Sequence, residues 1–141
     1  MTEKFKIVGK FIKDLSSETK DVETFLFVRE KIGTYQLGID ITSKALKNKM
    51  IEVITTFKFE DKENNPKKSH FEIVHATIVK ISEEIREKKE MEKIILIDVP
   101  SKIYHELRNI FVYLFENSGF KDIKISESVD FEKLYKMRKT Q

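Results

Sequence analysis

The chain of 141 residues has no cysteine, no tryptophan, four glycines and two prolines. Without cysteine there is no disulfide framework and no thiolate for catalysis or zinc binding. The scattered glycines form no phosphate-binding loop. No apolar run approaches the roughly 20 residues of a membrane span, and the start, Met1 to Phe5, lacks the apolar core of a signal peptide. These absences predict a cytoplasmic chain that does not insert into membranes.

The three histidines do not form a metal site in the sequence pattern. His70 and His75 are five residues apart, so they face opposite sides of a strand, and His105 stands alone on a predicted helix. No nucleophile has a base at a suitable spacing. We therefore expect no catalytic residues, no metal, no cofactor and no enzymatic activity.

The chain is rich in aromatic and charged residues. It contains eleven Phe and four Tyr, and its 27 Lys and Arg against 24 Asp and Glu give a net charge of +3. The charges are interspersed, which is typical of a solvated surface and not of a nucleic-acid footprint. We expect one globular domain over residues 1–141, with aromatic rings beyond the needs of its core.

Alternating apolar and polar residues predict four strands. Their apolar positions are Phe5, Ile7 and Phe11; Leu37, Ile39 and Ile41; Ile51, Val53, Phe57 and Phe59; and Phe71, Ile73, Val79 and Ile81. Gly9 falls on the apolar side of the first strand and suggests a bulge. From Asp14 to Thr34 the alternation is lost, and we interpret this segment as a long crossing loop. Short connections between the last three strands favour antiparallel pairing.

Helical spacing follows the strands. Pro100 either kinks a first helical segment or opens a new helix, Gly119 suits the end of that helix, and Asp130 suits the start of a last one. The main helix is apolar on two sides, so its second side needs either the last helix or a second subunit. The interface candidates are Tyr104, Phe111, Leu114 and Phe115. We expect the tail 136–141 to fray. The predicted fold class is α+β, a four-stranded antiparallel sheet followed by a long helix and a short C-terminal helix.

This order of elements resembles the SecB protein-export chaperone family along residues 5 to 135. The matching residues are Lys13 to Ser16 with Glu18, Glu72, Pro100, Arg108, Gly119-Phe120, and Asp130-Phe131 with Leu134-Tyr135. The pattern departs at Ala76-Thr77, where the family has a glycine pair, and at Tyr104 to Glu106, where it has Phe-Pro-aromatic. The family is also typically acidic, whereas this chain is mildly basic.

The resemblance implies an ATP-independent holdase that binds unfolded precursor proteins in apolar grooves and passes them to the SecA export motor. It implies a homotetramer, a dimer of dimers. Groove candidates are Phe25, Phe27, Tyr35, Phe131, Leu134 and Tyr135. The acidic residues Asp14, Glu18 and Glu72 match positions that contact SecA in the family. From the residues alone, the groove aromatics could equally be core and the carboxylates a solvated face.

Two other functions stay open at this point. One is a SecB-like chaperone outside export, such as a guard of an aggregation-prone antitoxin. The other is a weak binder of RNA or another anion through Lys4, Lys6, Lys10 and Lys13.

Overall fold

The computed structural model describes residues 3–121 and 123–139. An antiparallel sheet has the strand order β1-β4-β3-β2, and helices cover one of its faces. The strands are β1 (Phe5–Glu18), β2 (Tyr35–Ala45), β3 (Met50–Asp61) and β4 (His70–Ile81). The helices are α1 (Val22–Lys31), α2 (Lys88–Lys93), α3 (Val99–Asn117) and α4 (Phe131–Lys139), with a 3₁₀ turn at Ile32–Thr34 and a π-helical turn at Ile94–Asp98. The predicted α+β class is confirmed.

The core lies between α3 and the two central strands. Phe57 pairs with Ile73 across β3 and β4, and both are fully buried on the helix-facing side. The ring of Phe57 lies 6.1 Å from that of Phe111 on α3, and Phe115 lies 5.0 Å from both Phe59 and Phe71. Aromatic pairs at these separations add to the stabilisation from buried area. Apolar and polar residues therefore alternate in β3 and β4 because helices cover one face of the sheet and leave the other face open.

The predicted crossing loop from Asp14 to Thr34 is wrong. β1 continues to Glu18, and ten residues form α1. Asp21 caps this helix, because its Oδ1 accepts a hydrogen bond from the backbone N–H of Thr24 at 2.8 Å. Only Thr24 and Val28 are buried, while the other apolar residues of α1 are spread around the helix. That spread hides the helical period in the sequence.

Two bulges divide β1. The register against β4 shifts between Ile7 and Gly9, as Gly9 predicted. It shifts again between Ile12 and Asp14, where no glycine marks the bulge in the sequence. Each extra residue switches which side chains face the helices. Phe11 therefore pairs with Ala76 on the open face of the sheet, away from the helices, and does not share a face with Phe5 and Ile7.

The long helix ends at its sequence signal but does not begin at one. Asp98 and Val99 are already in the right-handed helical region, so the helix continues from α2 through the π-helical turn, and Pro100 opens no new helix. Pro100 is the second residue of α3, directly after the π-helical turn. At the other end Gly119 has φ 95°, and the N–H of Phe120 donates to the carbonyl oxygen of Phe115 at 2.9 Å. This is the glycine-terminated cap expected there. A Cβ at Gly119 would lie 2.7 Å from the Phe25 ring, so α1 packs directly on this turn.

The last helix begins and ends at identifiable residues. Asp130 Oδ1 accepts from the N–H of Lys133 at 3.0 Å, which confirms the predicted cap. The helix extends to Lys139, and residues 140 and 141 lie outside the described part of the chain.

A buried histidine lies beneath α3. His75 is 3% exposed, pairs with Ile12 and Thr55 in the sheet, and has its Nδ1 3.4 Å from Thr77 Oγ1. Burial lowers the pKa of His75 below its ordinary value, although the Glu106 carboxylate opposes this and Lys10 adds to it. The lysine and the carboxylate form an ion pair at 2.8 Å. His75 is therefore neutral in the folded chain near neutral pH.

This burial predicts a pH-dependent free energy of unfolding. Because the folded-state pKa of His75 lies below the unfolded value of about 6.5, the unfolded chain binds more protons, and stability should fall as pH decreases below that value. The change His75→Gln should flatten this slope in denaturant titrations between about pH 5 and 7.5. The same change at exposed His105 is the control, and an equal slope in wild type and His75→Gln would contradict the account.

Candidate functional site

An apolar groove follows the edge strand β2, which pairs only with β3 in the described sheet. Three adjoining cavities of about 440, 420 and 450 Å³ follow one another along the strand from Tyr35 to Ser43. Ile39 lines the first and second, whereas Ile41 lines the second and third. Eight residue steps at about 3.3 Å give a length of roughly 26 Å. We call this channel the β2 groove.

Helical side chains form the opposite wall of the β2 groove. Phe131, Leu134 and Tyr135 occupy one side of α4, because residues three and four apart share a helix face. Leu96 of the π-helical turn lines both the second and third cavities, and Met91 of α2 lines the third. A π turn inserts an extra residue into a helix and so redirects the side chains that follow. Strand and helices together leave an open channel whose walls combine apolar side chains with polar and charged ones.

The irregular segment before α4 is fixed against α3. Tyr104 Oη donates to the carbonyl oxygen of Ser126 at 2.6 Å, and Arg108 Nε donates to that of Ile125 at 3.1 Å. Burial raises the pKa of Tyr104, so its hydroxyl stays a donor at neutral pH. At the strand end, Tyr35 Oη accepts from the N–H of Ser69 at 3.0 Å. These bonds hold the first cavity open between β2 and residues 124–129.

The structure brings four of the six predicted groove residues together. Tyr35, Phe131 and Tyr135 are buried at the floor of the β2 groove, and Leu134 is 42% exposed at its rim. Each of these four lines at least one of the three cavities.

The other two, Phe25 and Phe27, lie on α1 and line none of the three cavities. The Phe25 ring packs 5.2 Å from Phe120 with the Arg29 guanidinium over it. Phe25 therefore serves mainly to dock α1 on the end of α3.

Several groove residues were not identified as such from the sequence. Leu37, Ile39 and Ile41 were assigned to a strand, and their alternation shows an apolar face without showing that helices leave it open. Met91, Ile95 and Leu96 lie in the helical segment before Pro100 and were not assigned to any site from the sequence. A surplus of apolar residues in an edge strand is the one signal that points to such a channel.

The predicted acidic set lies on the open face. Asp14, Ser16 and Glu18 of β1 are opposite Val74, Glu72 and His70 of β4, so Asp14, Glu18 and Glu72 share one face. By strand geometry the backbone of Glu72 lies roughly 8 Å from that of Asp14 and of Glu18, which are about 13 Å apart along β1. Positive groups accompany them, since His70 Nε2 lies 3.3 Å from Glu72 Oε1 and Lys58 is opposite Glu72 in β3.

The predicted interface residues are mostly internal. Tyr104, Phe111 and Phe115 are buried in the core of the single chain, which leaves them little surface for a second subunit, and only Leu114 is partly exposed. This burial corrects the expectation from the sequence, because the second apolar side of α3 faces the sheet and α4 as well.

A different apolar surface is exposed where α3 lies along β1. Contacts of Lys10 with Glu106 and of Ser17 with Ser118 fix α3 along β1. Ile12 and Leu15 of β1 are each more than 40% exposed, and Tyr113 of α3 is 68% exposed. We call Ile12, Leu15, Tyr113 and Leu114 the β1 strip.

Two further features of the described residues concern metal binding and membrane-spanning helices. Within residues 3–121 and 123–139, no three His, Asp or Glu side chains come together as a metal site would require. Of the helices in that part of the chain, none is long and apolar enough to cross a membrane.

Comparisons with known proteins agree with this architecture. The family model described as "Preprotein translocase subunit SecB" matches residues 1–141. The putative protein-export protein SecB of Pelagibacter ubique (strain HTCC1062) is 55% identical over 138 residues, which cover 98% of this chain and 99% of that protein. The protein-export protein SecB of Bartonella bacilliformis (strain ATCC 35685 / KC583 / Herrer 020/F12,63) is 23% identical over 136 residues, covering 96% of this chain and 84% of that protein.

A solved structure shares the fold. It is the Mycobacterium tuberculosis SecB-like chaperone Rv1957 in complex with a ChAD peptide from the Rv1956 HigA1 antitoxin. Its TM-score is 0.62 at 11% identity, and the match covers 87% of this chain and 90% of that one.

The family model and the two relatives place the chain among protein-export chaperones. The whole-length family match and the 55% identical relative show that this chain belongs to the SecB family, as its sequence resemblance predicted.

Proposed function

We propose that the protein is a holdase that binds unfolded precursor proteins in the β2 groove without ATP and transfers them to SecA in the cytoplasm. The groove itself is the observation that carries this proposal, since it combines a long edge strand with a wall of apolar helix residues. The names of the two SecB relatives, which are protein-export proteins, support the export role.

The chemistry of the groove suits clients of many sequences. Apolar burial is non-directional and contributes about 25 cal/mol per Å² buried, so any segment with enough apolar side chains gains affinity. A groove of roughly 26 Å accommodates an extended segment of about eight residues. The outer edge of β2 also carries main-chain groups that no other described strand pairs. A client that adopts a strand there would gain hydrogen bonds that do not depend on its sequence.

Leu134 provides the sharpest test of the groove. Leu134→Ser removes an exposed apolar side chain that lines two of the cavities, so holdase activity should fall while the melting temperature changes little. The measurement is light scattering from a chemically unfolded client without ATP, with the concentration of chaperone that halves aggregation as the readout.

A matched control separates the groove from general surface polarity. Leu46→Ser changes a similarly exposed leucine in the turn between β2 and β3 that lines none of the three cavities. Equal loss of holdase activity in both variants would reject the β2 groove as the client site.

The assembly we propose is a homotetramer, a dimer of dimers, which uses the β1 strip. Several large apolar side chains exposed together on one surface are typical of an interaction site. The long edge strand β1 adds unpaired main-chain groups on the same side of the molecule. Both features would be covered by another copy of the chain.

The substitution Tyr113→Asp tests this assembly. Because Tyr113 is 68% exposed in the single chain, the fold should persist, whereas a charge buried at a subunit contact is costly. Sedimentation velocity at micromolar concentration should show smaller species than wild type. His105→Asp, on an exposed position of the same helix, is the control, and a monomeric wild type would contradict the proposal.

SecA docking is proposed for the open face, through Asp14, Glu18 and Glu72. Their shared face, on a chain whose net charge is positive, supports an acidic site for a basic partner segment. Such charges act mainly on orientation and on the association rate. The nearby Lys58 and His70 reduce the negative potential, so the interaction should be weak and sensitive to salt.

Charge reversal tests this docking site. Glu72→Lys should slow SecA association by roughly tenfold or less at low salt while client binding persists, because exposed ion pairs are worth about 0.2–1 kcal/mol each. Surface plasmon resonance gives the association rate, and Glu83→Lys, two residues beyond the far end of β4, is the control. Absence of SecA binding by wild type at low salt would reject the export role and leave the holdase role intact.

The second candidate function is a chaperone for an antitoxin. The fold shared with Rv1957, solved with an antitoxin peptide, favours it. Binding to SecA would distinguish the two roles. The RNA-binding alternative loses support, because Lys10 and Lys13 are paired with Glu106 and Glu52 on opposite sides of β1.

A further inference from the structure

An apolar band crosses the middle of the open face. Antiparallel partners share a face of a sheet, and the registers place Phe11, Ala76 and Ile54 in one cross-strand row on this side. Val74 and Ile78 lie two residues away from Ala76 on β4, one in each direction. The bulges in β1 turn Phe11 to this face, where its side chain is 47% exposed. We call the row of Phe11, Ala76 and Ile54 the middle row.

Carboxylates are in excess on the half of the open face beyond Val74. Against Lys58 and His70, the strand positions of this half carry five acidic residues: Asp14, Glu18, Asp40, Glu60 and Glu72. The excess remains when Lys62, which lies 3.9 Å from Glu60, is included. The other charged residues adjoining this end are balanced, with Asp21, Asp61 and Glu63 against Lys20, Lys67 and Lys68.

Lysines are in excess on the half beyond Ile78. Lys6 lies directly opposite Lys80, and neither forms an ion pair with another residue of the described chain. Lys44 lies opposite Glu52, whose carboxylate already contacts the Lys13 ammonium at 3.0 Å. Like charges directly opposite each other destabilise a strand pair, so an anionic group above Lys6 and Lys80 would relieve a repulsion. The residues adjoining this end are balanced, with Glu3, Glu83 and Glu84 against Lys4, Lys47 and Lys49.

We propose that two copies of the chain stack with their open faces together, related by a two-fold axis along the middle row. An axis in this direction reverses the strands between the copies, so the acidic half of each face lies on the basic half of the other. Glu72 and Lys80 are each four residues from Ala76, and this axis places one above the other. A two-fold axis along the strands would instead bring like charges together, so the charge pattern selects the first arrangement.

The other positions of the face fit the same axis. Asp40 of one copy lies above Lys44 of the other, since both are two residues from the strand position that continues the middle row in β2. Val74 lies above Ile78 in the same way, and Phe11, on the axis, meets its own counterpart. Packed sheets are about 10 Å apart, a gap that Glu and Lys side chains extending from both faces can bridge. The face is thus self-complementary in charge and in apolar surface.

The open face is large enough for such a contact. Four strands at about 4.8 Å and ten residue steps at about 3.3 Å give a face of roughly 19 by 33 Å. Two copies would therefore bury about 1,250 Å² in total, at the lower end of the range of about 1,200–2,000 Å² for specific interfaces. The helices cover only the opposite face, so nothing in the described chain obstructs the approach of a second copy.

Stacking has a consequence for the proposed SecA docking. Glu72 takes part in both proposals, so a stacked pair would exclude SecA until the two copies separate. The inference itself depends on neither the holdase role nor the tetramer, because the β2 groove and the β1 strip are on the helix side of the sheet. A tetramer assembled through the β1 strip would keep its open faces free to stack.

A charge-swap experiment tests the stacking. One variant carries Asp40→Lys with Glu72→Lys, and the other carries Lys44→Glu with Lys80→Glu. Each variant alone should self-associate roughly thirtyfold more weakly than wild type, because a two-fold interface uses every substituted position twice. An equimolar mixture of the two variants should recover most of the lost association, since each altered half then meets an opposite charge. Sedimentation velocity over a concentration series at about 20 mM salt gives the dissociation constants.

A matched pair of control variants excludes general attraction between oppositely charged proteins. Glu87→Lys with Glu127→Lys, and Lys89→Glu with Lys133→Glu, change net charge by the same amounts at exposed positions outside the sheet. Each control should associate with itself as wild type does, and mixing the two controls should add nothing. Because the readout is the gain on mixing, it does not depend on the size of the basic assembly.

The outcomes separate this inference from the proposed function. Wild type that shows the same sedimentation at every concentration in low salt would overturn the stacking, whether or not SecA binds. Unchanged self-association of either face variant, or an equal gain on mixing the control variants, would overturn it as well. If Glu72→Lys slows SecA association while wild type does not self-associate, the docking proposal stands and this inference fails.

Discussion

The structure depends on the width of α3, which is smaller than the width of the four-stranded sheet that it covers. A helix with side chains is about 10 Å across, whereas four strands spaced at about 4.8 Å are wider. α3 buries its rings against the central strands, where Phe57, Phe71, Phe111 and Phe115 form a continuous aromatic cluster. Both outer strands are consequently left partly uncovered on the helix-facing side. One of the margins becomes the β1 strip and the other becomes the β2 groove.

The two margins differ because the chain covers them differently. Beside β1 only contacts such as Lys10 with Glu106 and Ser17 with Ser118 bridge helix and strand, so Ile12 and Leu15 stay exposed. Beside β2 the chain returns after Gly119, is fixed to α3 by two hydrogen bonds, and places α4 across a gap. A flat apolar margin suits a second rigid subunit, whereas a walled channel suits an extended chain. The incomplete cover of the sheet by α3 thus underlies both proposed roles, assembly at the β1 strip and client binding in the β2 groove.

How much of this could be predicted depends on whether the signal is local. Alternation in β3 and β4, the cap at Asp130 and the turn at Gly119 are local, and the structure confirms them. α1 escaped prediction because its apolar residues surround the helix, so no period of 3.6 emerges. The second bulge in β1 has no glycine to mark it. The groove escaped in part because the sequence of β2 cannot show how far α3 reaches.

The arrangement of charge follows from the same geometry. The β2 groove is at the β2 margin on the helix side, whereas Asp14, Glu18 and Glu72 are on β1 and β4 on the open side. The sheet itself and the width of β3 separate the two sites by more than the Debye length of about 10 Å at 0.1 M salt. Charges on a client segment in the β2 groove and on a basic segment docked at the open face, as proposed above, would therefore feel little of each other. If both proposals hold, the sheet separates the client site from the SecA site, and the two sites could be occupied at the same time.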